Sequence, residues 1–528
     1  MHINQLEPTA LKIIKATRHD YQHACLLLKQ SLDAIDDNST ILNNFGLLFY
    51  QNVEYDLAKR VFDFAIKKDP KNYSLYNNLG LTLNRLGLGK IAVKHYKKAL
   101  EIKPDYHQAR SNLAYTLLYF GTTGRREILS AHKNIEKHVF HQSRNYLLSR
   151  QGVDKHLYNK TRKLRIAYVS ADLRNHAVGS FMQGILKHHD KDRFDVHILD
   201  NRSNNDDELA KRLRTLQKQW YNIANMPTDS VCLLITKLQI DILIDLSGHT
   251  KGGRPDVFSQ RIAPIQITYL GYPSTTGLSE IDFRIGDQFS DPPENDAQNT
   301  ENLLRLNHSM WNYSPWNDMP KYPSANPFEQ HGVITFGSAN NHAKLQESWL
   351  KVWSTVLKEV PNSHFRIKSR ALKSPIARQQ LLTFFQNNGV KQDRVDIEHY
   401  SATKHEHWQA LSRFDIALDS FPYNGTTTTC DLLNLGIPVV TRSGNSHVSR
   451  TTGSILNTLG LSSWIAKTDS EFIETCVEKA QNHHELKKLR QSLRRRFSSS
   501  SLGNAPLFLI EYEMNLINTW HNWCEQKQ

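Results

Sequence analysis

The sequence predicts an α-helical repeat array followed by two doubly wound α/β lobes. Three observations carry that expectation. Residues recur at a fixed step of 34 through the first third of the chain. From Leu164 onward, short apolar runs alternate with polar, helix-like stretches. The alternation then restarts after a Pro- and Asn-rich stretch at 313–327.

The repeat comes first, because a fixed period decides the architecture of the segment that carries it. Asn44 and Gly46 recur as Asn78 and Gly80, then as Asn112 and Ala114. Ala58 matches Ala92, Phe62 matches Tyr96, Ala65 matches Ala99, and Pro70 matches Pro104. The small residues let two helices approach closely, and each proline ends a second helix. This is the tetratricopeptide pattern, with residues 1–38 as a degenerate capping repeat, 39–122 as the repeats and 123–162 as a helical linker. So short an array must lean on a neighbour to bury its faces. It serves either as a concave peptide-binding surface or as a structural collar.

The α/β part follows from runs at 164–170, 194–199, 240–246 and 265–270, and then at 333–337, 364–368, 395–399, 414–418 and 437–441. Strands separated by helical stretches predict parallel β-α-β units. The expected lobes are 163–325 and 326–503, with a terminal helix at 504–528. In such sheets ligands bind beyond the carboxyl ends of the strands.

Composition limits the function classes. The 528 residues, at roughly 100–200 per domain, allow about three domains. Hydrophobic residues at 39% and a mean hydropathy of −0.54 fit a soluble globular chain, and no apolar run approaches the ~18 residues of a membrane span. Five widely spaced cysteines without a CxxC pair predict neither a disulfide framework nor structural zinc. No secretory signal is legible, so the expected compartment is the cytoplasm. The net charge of +14 favours anionic partners, but it is spread through the chain and forms no basic stripe with interleaved aromatics. Nucleic-acid binding is therefore not expected.

Four segments at strand ends carry candidate chemistry. The first is Asp419-Ser420-Phe421-Pro422-Tyr423-Asn424-Gly425, followed by four threonines, Cys430 and Asp431. Hydroxyls and backbone N–H groups at a helix start make a ready anion site, although one Thr there is an ordinary N-cap. The second, 336–344, ends in Lys344, a cation able to neutralise a leaving phosphate. The third and fourth place His176 and His249 after first-lobe strands. There is no GxxxxGK[ST] loop, HExxH or GxSxG, and no convincing Asp-x-Asp at a strand end for holding a metal-bound diphosphate. Phosphate charge would be met by Lys, Thr and backbone N–H groups.

These residues, in this order, closely resemble the protein O-glycosyltransferases, comprising O-linked N-acetylglucosamine transferases and SPINDLY proteins. The resemblance rests on the repeats and on LRIAYVSADLRNHAVGSFM, DILIDLSGHTKGGRPDVFSQRIAPIQITYLGYPSTTG, FGSANNHAK and LDSFPYNGTTTTCD. It implies a glycosyltransferase-B fold of two Rossmann-like domains. It also implies inverting, metal-independent transfer of N-acetylglucosamine from UDP-GlcNAc to Ser or Thr of proteins, with no cofactor and with the acceptor held by the repeats. By resemblance, Lys344 contacts donor phosphate and Asn341 lies near it. Thr427 and Thr428 match a Thr-Thr pair at the phosphate-binding helix, with Thr426 added from the same run at the helix start, and Asp431 contacts the nucleoside. Lys404 and His407 lie near the base, and His176 matches a histidine proposed as general base. His249 is assigned to the acceptor side.

The chain departs from the N-acetylglucosamine enzymes at Thr426 and Thr429, where they carry His and Gly, and its Thr run resembles SPINDLY. GDP-fucose is therefore the alternative donor. Ala339, His342 and Gln346-Glu347-Ser348 also depart from the common pattern. The short array implies a bacterial member with a narrower acceptor surface. Two further readings stay open: a repeat scaffold carrying a degenerate transferase, and a transferase acting on a glycan or lipid.

Overall fold

A computed structural model describes residues 5–17, 20–34, 38–140, 144–146, 157–203, 206–320, 326–398, 401 and 403–527. Parts of the expected 123–162 linker (141–143 and 147–156), residues 321–325 of the Pro- and Asn-rich stretch, and His399 lie outside the described residues. The chain packs as two compact units. One comprises 1–123, 325–423 and 476–481; the other comprises 124–324, 424–475 and 482–528. No described helix is long and apolar enough to cross a membrane.

In the first unit, the array runs α1 Leu6–Thr17, α2 Tyr21–Asp33, α3 Ser39–Gln51, α4 Tyr55–Lys68, α5 Tyr73–Arg85, α6 Gly89–Ile102 and α7 His107–Leu117. The starts of α3, α5 and α7 keep the 34-residue step. Asn38 and Asn72, also one step apart, cap α3 and α5 by accepting from Thr40 N and Ser74 N. The repeat glycines answer to the partner helix. A Cβ on Gly46 would fall 2.5 Å from Phe62 Cε1, and one on Gly80 would fall 2.5 Å from Tyr96 Cε1. Asparagine side chains join successive repeats. Asn78 Nδ2 donates to Asn43 Oδ1 at 2.8 Å, and Asn112 Nδ2 donates to Asn77 Oδ1 at 2.8 Å.

The α/β part of this unit has strands β8 Ile334–Ser338, β9 Ser363–Lys368, β10 Val395–Glu398 and β11 Ile416–Leu418, parallel and in the order β10-β9-β8-β11. The direction of strand addition reverses between β8 and β11, so the loops leaving those two strands flank a topological switch point. Gly337 in β8 lets the Phe414 ring cross the strand, where a Cβ would sit 2.1 Å away. The array packs on this part through a polar seam: Ser374 Oγ donates to Asp56, and Lys373 Nζ pairs with Glu54 Oε1 at 2.6 Å.

The second unit holds helix α8 Arg125–Val139 and a parallel sheet of seven strands. They are β1 Leu164–Ser170, β2 Phe194–Asp200, β3 Gln219–Asn222, β4 Ile242–Asp245, β5 Ile265–Thr268, β6 Phe283–Asp287 and β7 Asn302–Leu306. Their order is β3-β2-β1-β4-β5-β6-β7, so the switch point lies between β1 and β4. A further parallel pair, β12 Val439–Arg442 and β13 Ile465–Ala466, belongs to the same unit. β1 and β4 are buried along nearly their whole length, as the near-continuous apolar runs of central parallel strands require.

One device recurs in both units. An aspartate just before a strand accepts the N–H of the second residue of its neighbour. Asp241 accepts from Arg165 N and Asp415 from Thr335 N, each at 2.9 Å. Asp241 also receives a bidentate fork from Arg162 at 2.5 and 2.6 Å.

Two outcomes follow. Gly80→Ala costs about 1–3 kcal/mol, because the Tyr96 ring is fully buried and must shift; a denaturant melt measures it. In the second unit, burial alone would raise the Asp291 carboxyl, but Arg284 (3.1 Å) and His447 (2.7 Å) hold it well below the usual carboxylate range. Its contribution is present above the ordinary carboxylate range and is lost only as pH falls through the depressed value. Asp291→Ala strands the buried Arg284 and costs about 3–5 kcal/mol at neutral pH, measurable by the same melts.

Candidate functional site

The switch point of the first unit gathers Lys344 and Tyr423. Lys344 leaves β8 in a tight turn, 342–344, which Asn341 caps by accepting Ala343 N at 3.1 Å. The loop leaving β11 is clamped from several sides. Asp419 Oδ1 accepts Ser420 N (2.9 Å) and Asn340 Nδ2 (3.2 Å). Trp349 Nε1 donates to Asp419 O at 2.8 Å, and Ser420 Oγ donates to Tyr423 O at 2.7 Å. These bonds fix Tyr423, and the Lys344 ammonium sits 4.1 Å from its ring centroid. Burial lowers the Lys344 pKa to about 8, with Asp419 opposing the fall. At neutral pH it is still mostly a cation, and in this half-buried setting its charge acts more strongly on an incoming anion than in open water. Asn341 itself is exposed at the mouth of this turn.

The helix Lys404–Leu411 begins with a capping box between Thr403 and Glu406. His407, one turn in, is half-buried. Desolvation, reinforced by Lys368 and Arg370, lowers its pKa to about 4, so it is a neutral ring at physiological pH. Such a ring suits stacking on, or hydrogen bonding to, an uncharged base. Lys404 is exposed on the same first turn. Lys368, buried at the end of β9 and donating to Ser401 Oγ at 2.6 Å, is a neighbour that sequence reasoning missed. The available signal was a cation at the carboxyl end of a strand already identified.

In the second unit, the helix Thr427–Asn434 starts at N-cap Thr426, whose side chain makes no capping bond. The Thr426 hydroxyl thus does not act as an ordinary Thr N-cap. Thr451 Oγ1 and Thr452 Oγ1 donate to Gly425 O at 3.1 and 2.8 Å, fixing the turn that enters it. Thr429 is buried and bonds Thr452, whereas Thr426, Thr427 and Thr428 remain partly exposed at the helix start. Backbone N–H groups, hydroxyls and the positive end of the helix dipole thus coincide. Asp431 accepts a bond from the buried Tyr313 hydroxyl, which holds its carboxylate in place. Sequence reasoning missed Tyr313, since it lies within the 313–327 stretch set aside as a linker.

His176 is the N-cap of the helix Ala177–His188, and its Nδ1 accepts from Val178 N at 3.4 Å. Desolvation lowers its pKa, Asp172 opposes and Arg174 reinforces, so the ring is neutral near pH 7. With Nδ1 accepting, the proton resides on Nε2. The ring then offers a donor, a state suited to orienting a hydroxyl.

His249 lies in the loop after β4, on the other side of the same switch point. Asp245 holds that loop by accepting Ser247 N and Gly248 N at 2.9 Å each. Burial raises the Asp245 pKa to about 6 against those bonds. Gly248 has φ +52°, and a Cβ there would fall 2.5 Å from Tyr272 Cβ and 2.7 Å from its ring Cγ. His249 is buried; its Nε2 donates to Thr276 O at 2.6 Å, and its ring meets Tyr272 edge-on. Behind them His132 Nδ1 donates to Ile128 O and Nε2 accepts from Tyr272 Oη, both at 2.7 Å. His132, Tyr272 and His249 thus form one packed cluster.

Residues 114–319 and 328–511 match the profile of glycosyl transferase family 41. A rice (Oryza sativa subsp. japonica) relative, described as a probable UDP-N-acetylglucosamine–peptide N-acetylglucosaminyltransferase SPINDLY, is 34% identical over 82% of this chain and 46% of its own length. The Arabidopsis thaliana protein of the same description is 35% identical over 69% of this chain and 40% of its own. This chain thus spans less than half the length of these curated relatives. A solved structure of a mutant Thermobaculum terrenum O-GlcNAc transferase superposes with a TM-score of 0.86 at 28% identity, covering 100% of this chain and 98% of that one. The chain belongs to glycosyl transferase family 41.

Proposed function

We propose that this protein transfers N-acetylglucosamine from UDP-GlcNAc to Ser or Thr hydroxyls of proteins, inverting the anomeric carbon without calling on a metal. The observation that carries the proposal is the partly dehydrated Lys344 cation on the Tyr423 ring, at a switch point where α/β sheets take ligands. The uncapped, Thr-bearing helix start that the chain reaches a few residues later supports it.

In the reaction, the acceptor oxygen bonds to the anomeric carbon as the bond to the diphosphate oxygen breaks, and the hydroxyl proton leaves to the departing diphosphate or to water. The largest cost is negative charge growing on the departing diphosphate. Lys344 and the backbone N–H groups, with hydroxyls, at Thr426, Thr427 and Thr428 would meet that charge with donors already in place. Asn341 would face the phosphates, Asp431 the ribose, and Lys404 with neutral His407 the base. His176 would orient the acceptor through Nε2–H, and His249 would shape the acceptor side. The acceptor protein would be held by the repeat array.

GDP-fucose is the alternative donor, favoured by the Thr run at 426–429 and by identity to proteins described as SPINDLY.

Calorimetric titration of UDP-GlcNAc and GDP-fucose into the purified protein tests the reading and names the sugar. Lys344→Ala lowers turnover by about 10²–10³-fold in a chain that melts like the parent. Full activity in the folded variant contradicts the assignment. Donor affinity falls as pH rises through about 8, since deprotonation removes the cation that meets the diphosphate. A profile that stays flat well above and below that value contradicts it.

A further inference from the structure

Two residues of the repeat array touch the residue on which Lys344 rests. Tyr115, in α7, places its Oη 3.0 Å from Tyr423 Oη. Tyr119, two residues beyond α7, stacks on the Tyr423 ring with centroids 5.3 Å apart and an interplanar angle of 27°. Tyr115 and Tyr119 also meet each other edge-on at 5.7 Å, so the three rings form one cluster. Tyr119 and Tyr423 are 4% and 8% exposed, which leaves Tyr423 little room to move independently. Tyr423 also carries the Lys344 ammonium at 4.1 Å from its ring centroid.

A second contact reaches the turn that carries Lys344. The α5–α6 turn passes so close to His342 that a Cβ on Gly87 would lie 3.0 Å from its ring. Gly87 has φ +78°, the left-handed conformation that glycine adopts without strain. Gly121, after α7, sits against Pro422, with its Cβ position 3.8 Å from Pro422 Cγ. The array thus braces both segments that meet at Lys344: the turn that carries it and the loop that carries Tyr423.

We propose that Tyr115 and Tyr119 are positioning residues for Lys344, acting through Tyr423, so that the last repeat sets the geometry of phosphate recognition. The proposal deepens the transferase reading and rests on its assignment of Lys344. It gives the array a task separate from holding acceptors. A cation 1 Å out of place can cost about 10²-fold in rate, and a stacked, hydrogen-bonded ring limits such displacement. The charged and titratable groups around Lys344 include Asp419 and Tyr423 from the β11 loop and His342 on its own turn. Tyr115 and Tyr119 follow behind from the last repeat, and Arg85 from α5.

The test uses the full chain and reads Lys344 directly. The pH dependence of its acylation by acetic anhydride, followed by peptide mass spectrometry without donor, gives its titration. Turnover with the donor identified by calorimetry is measured alongside. Tyr119→Ala moves the Lys344 titration upward from about 8 as water reaches the ammonium, and lowers kcat about tenfold or more. Tyr119→Phe, which keeps the stacked ring, restores both. Tyr115→Phe removes only the Oη contact, is nearly isosteric, and lowers kcat several-fold, which keeps the test available if Tyr119→Ala fails to fold. A purely packing role lowers the melting temperature and leaves the Lys344 titration in place; that result overturns the inference while the transferase reading stands. A shifted titration with unchanged turnover overturns the phosphate assignment of Lys344 and the inference with it.

Discussion

The contact between the Lys344 ammonium and the Tyr423 ring is the interaction on which the rest depends. A lysine that recognises phosphate must remain charged, yet its charge is most effective where water is scarce. Those two demands oppose each other. Burial at the switch point pushes Lys344 toward neutrality, and an aromatic face with nearby Asp419 supports the cation. The balance leaves a cation at neutral pH that is weakly solvated and ready for an anion. Much of the first unit's construction serves that balance: the Asp419 clamp, the Trp349 bond, the Asn341-capped turn and the two array tyrosines.

On the proposed reading, the second unit prepares its own charge-binding element by a different route. Its helix start owes its capacity to what is left unmade: Thr426 does not turn back to cap the helix, and Thr451 and Thr452 restrain the preceding carbonyl in its place. Tyr313 holds Asp431 so that the carboxylate is oriented in advance of any ligand. Preorganised donors of this kind cost no reorganisation as charge develops, the general basis of electrostatic catalysis.

Periodic features were the most legible in the sequence. The 34-residue step located the helix pairs, because Gly46 and Gly80 answer to aromatic rings that recur at the same spacing. The central strands β1, β2, β4, β8 and β9 were legible as apolar runs because both their faces are covered. β3, β6 and β7 were not, since Gln219–Asn222, Phe283–Asp287 and Asn302–Leu306 carry polar side chains that break the run. β13 is only two residues long and offers no pattern. At the candidate site, motifs at strand ends pointed to Lys344, His176, His249 and the Thr run. The supporting shell was hidden. Tyr115, Tyr119, Tyr313 and Lys368 act through contacts across as many as 308 residues of chain, and no local spacing reports such contacts.

The most direct test of the central claim is a crystal structure of the chain with UDP bound. The account predicts a β-phosphate oxygen within about 3.2 Å of Lys344 Nζ, with Tyr423 still beneath the ammonium. A diphosphate bound away from Lys344, or a Lys344 turned out to solvent with nucleotide present, would contradict it.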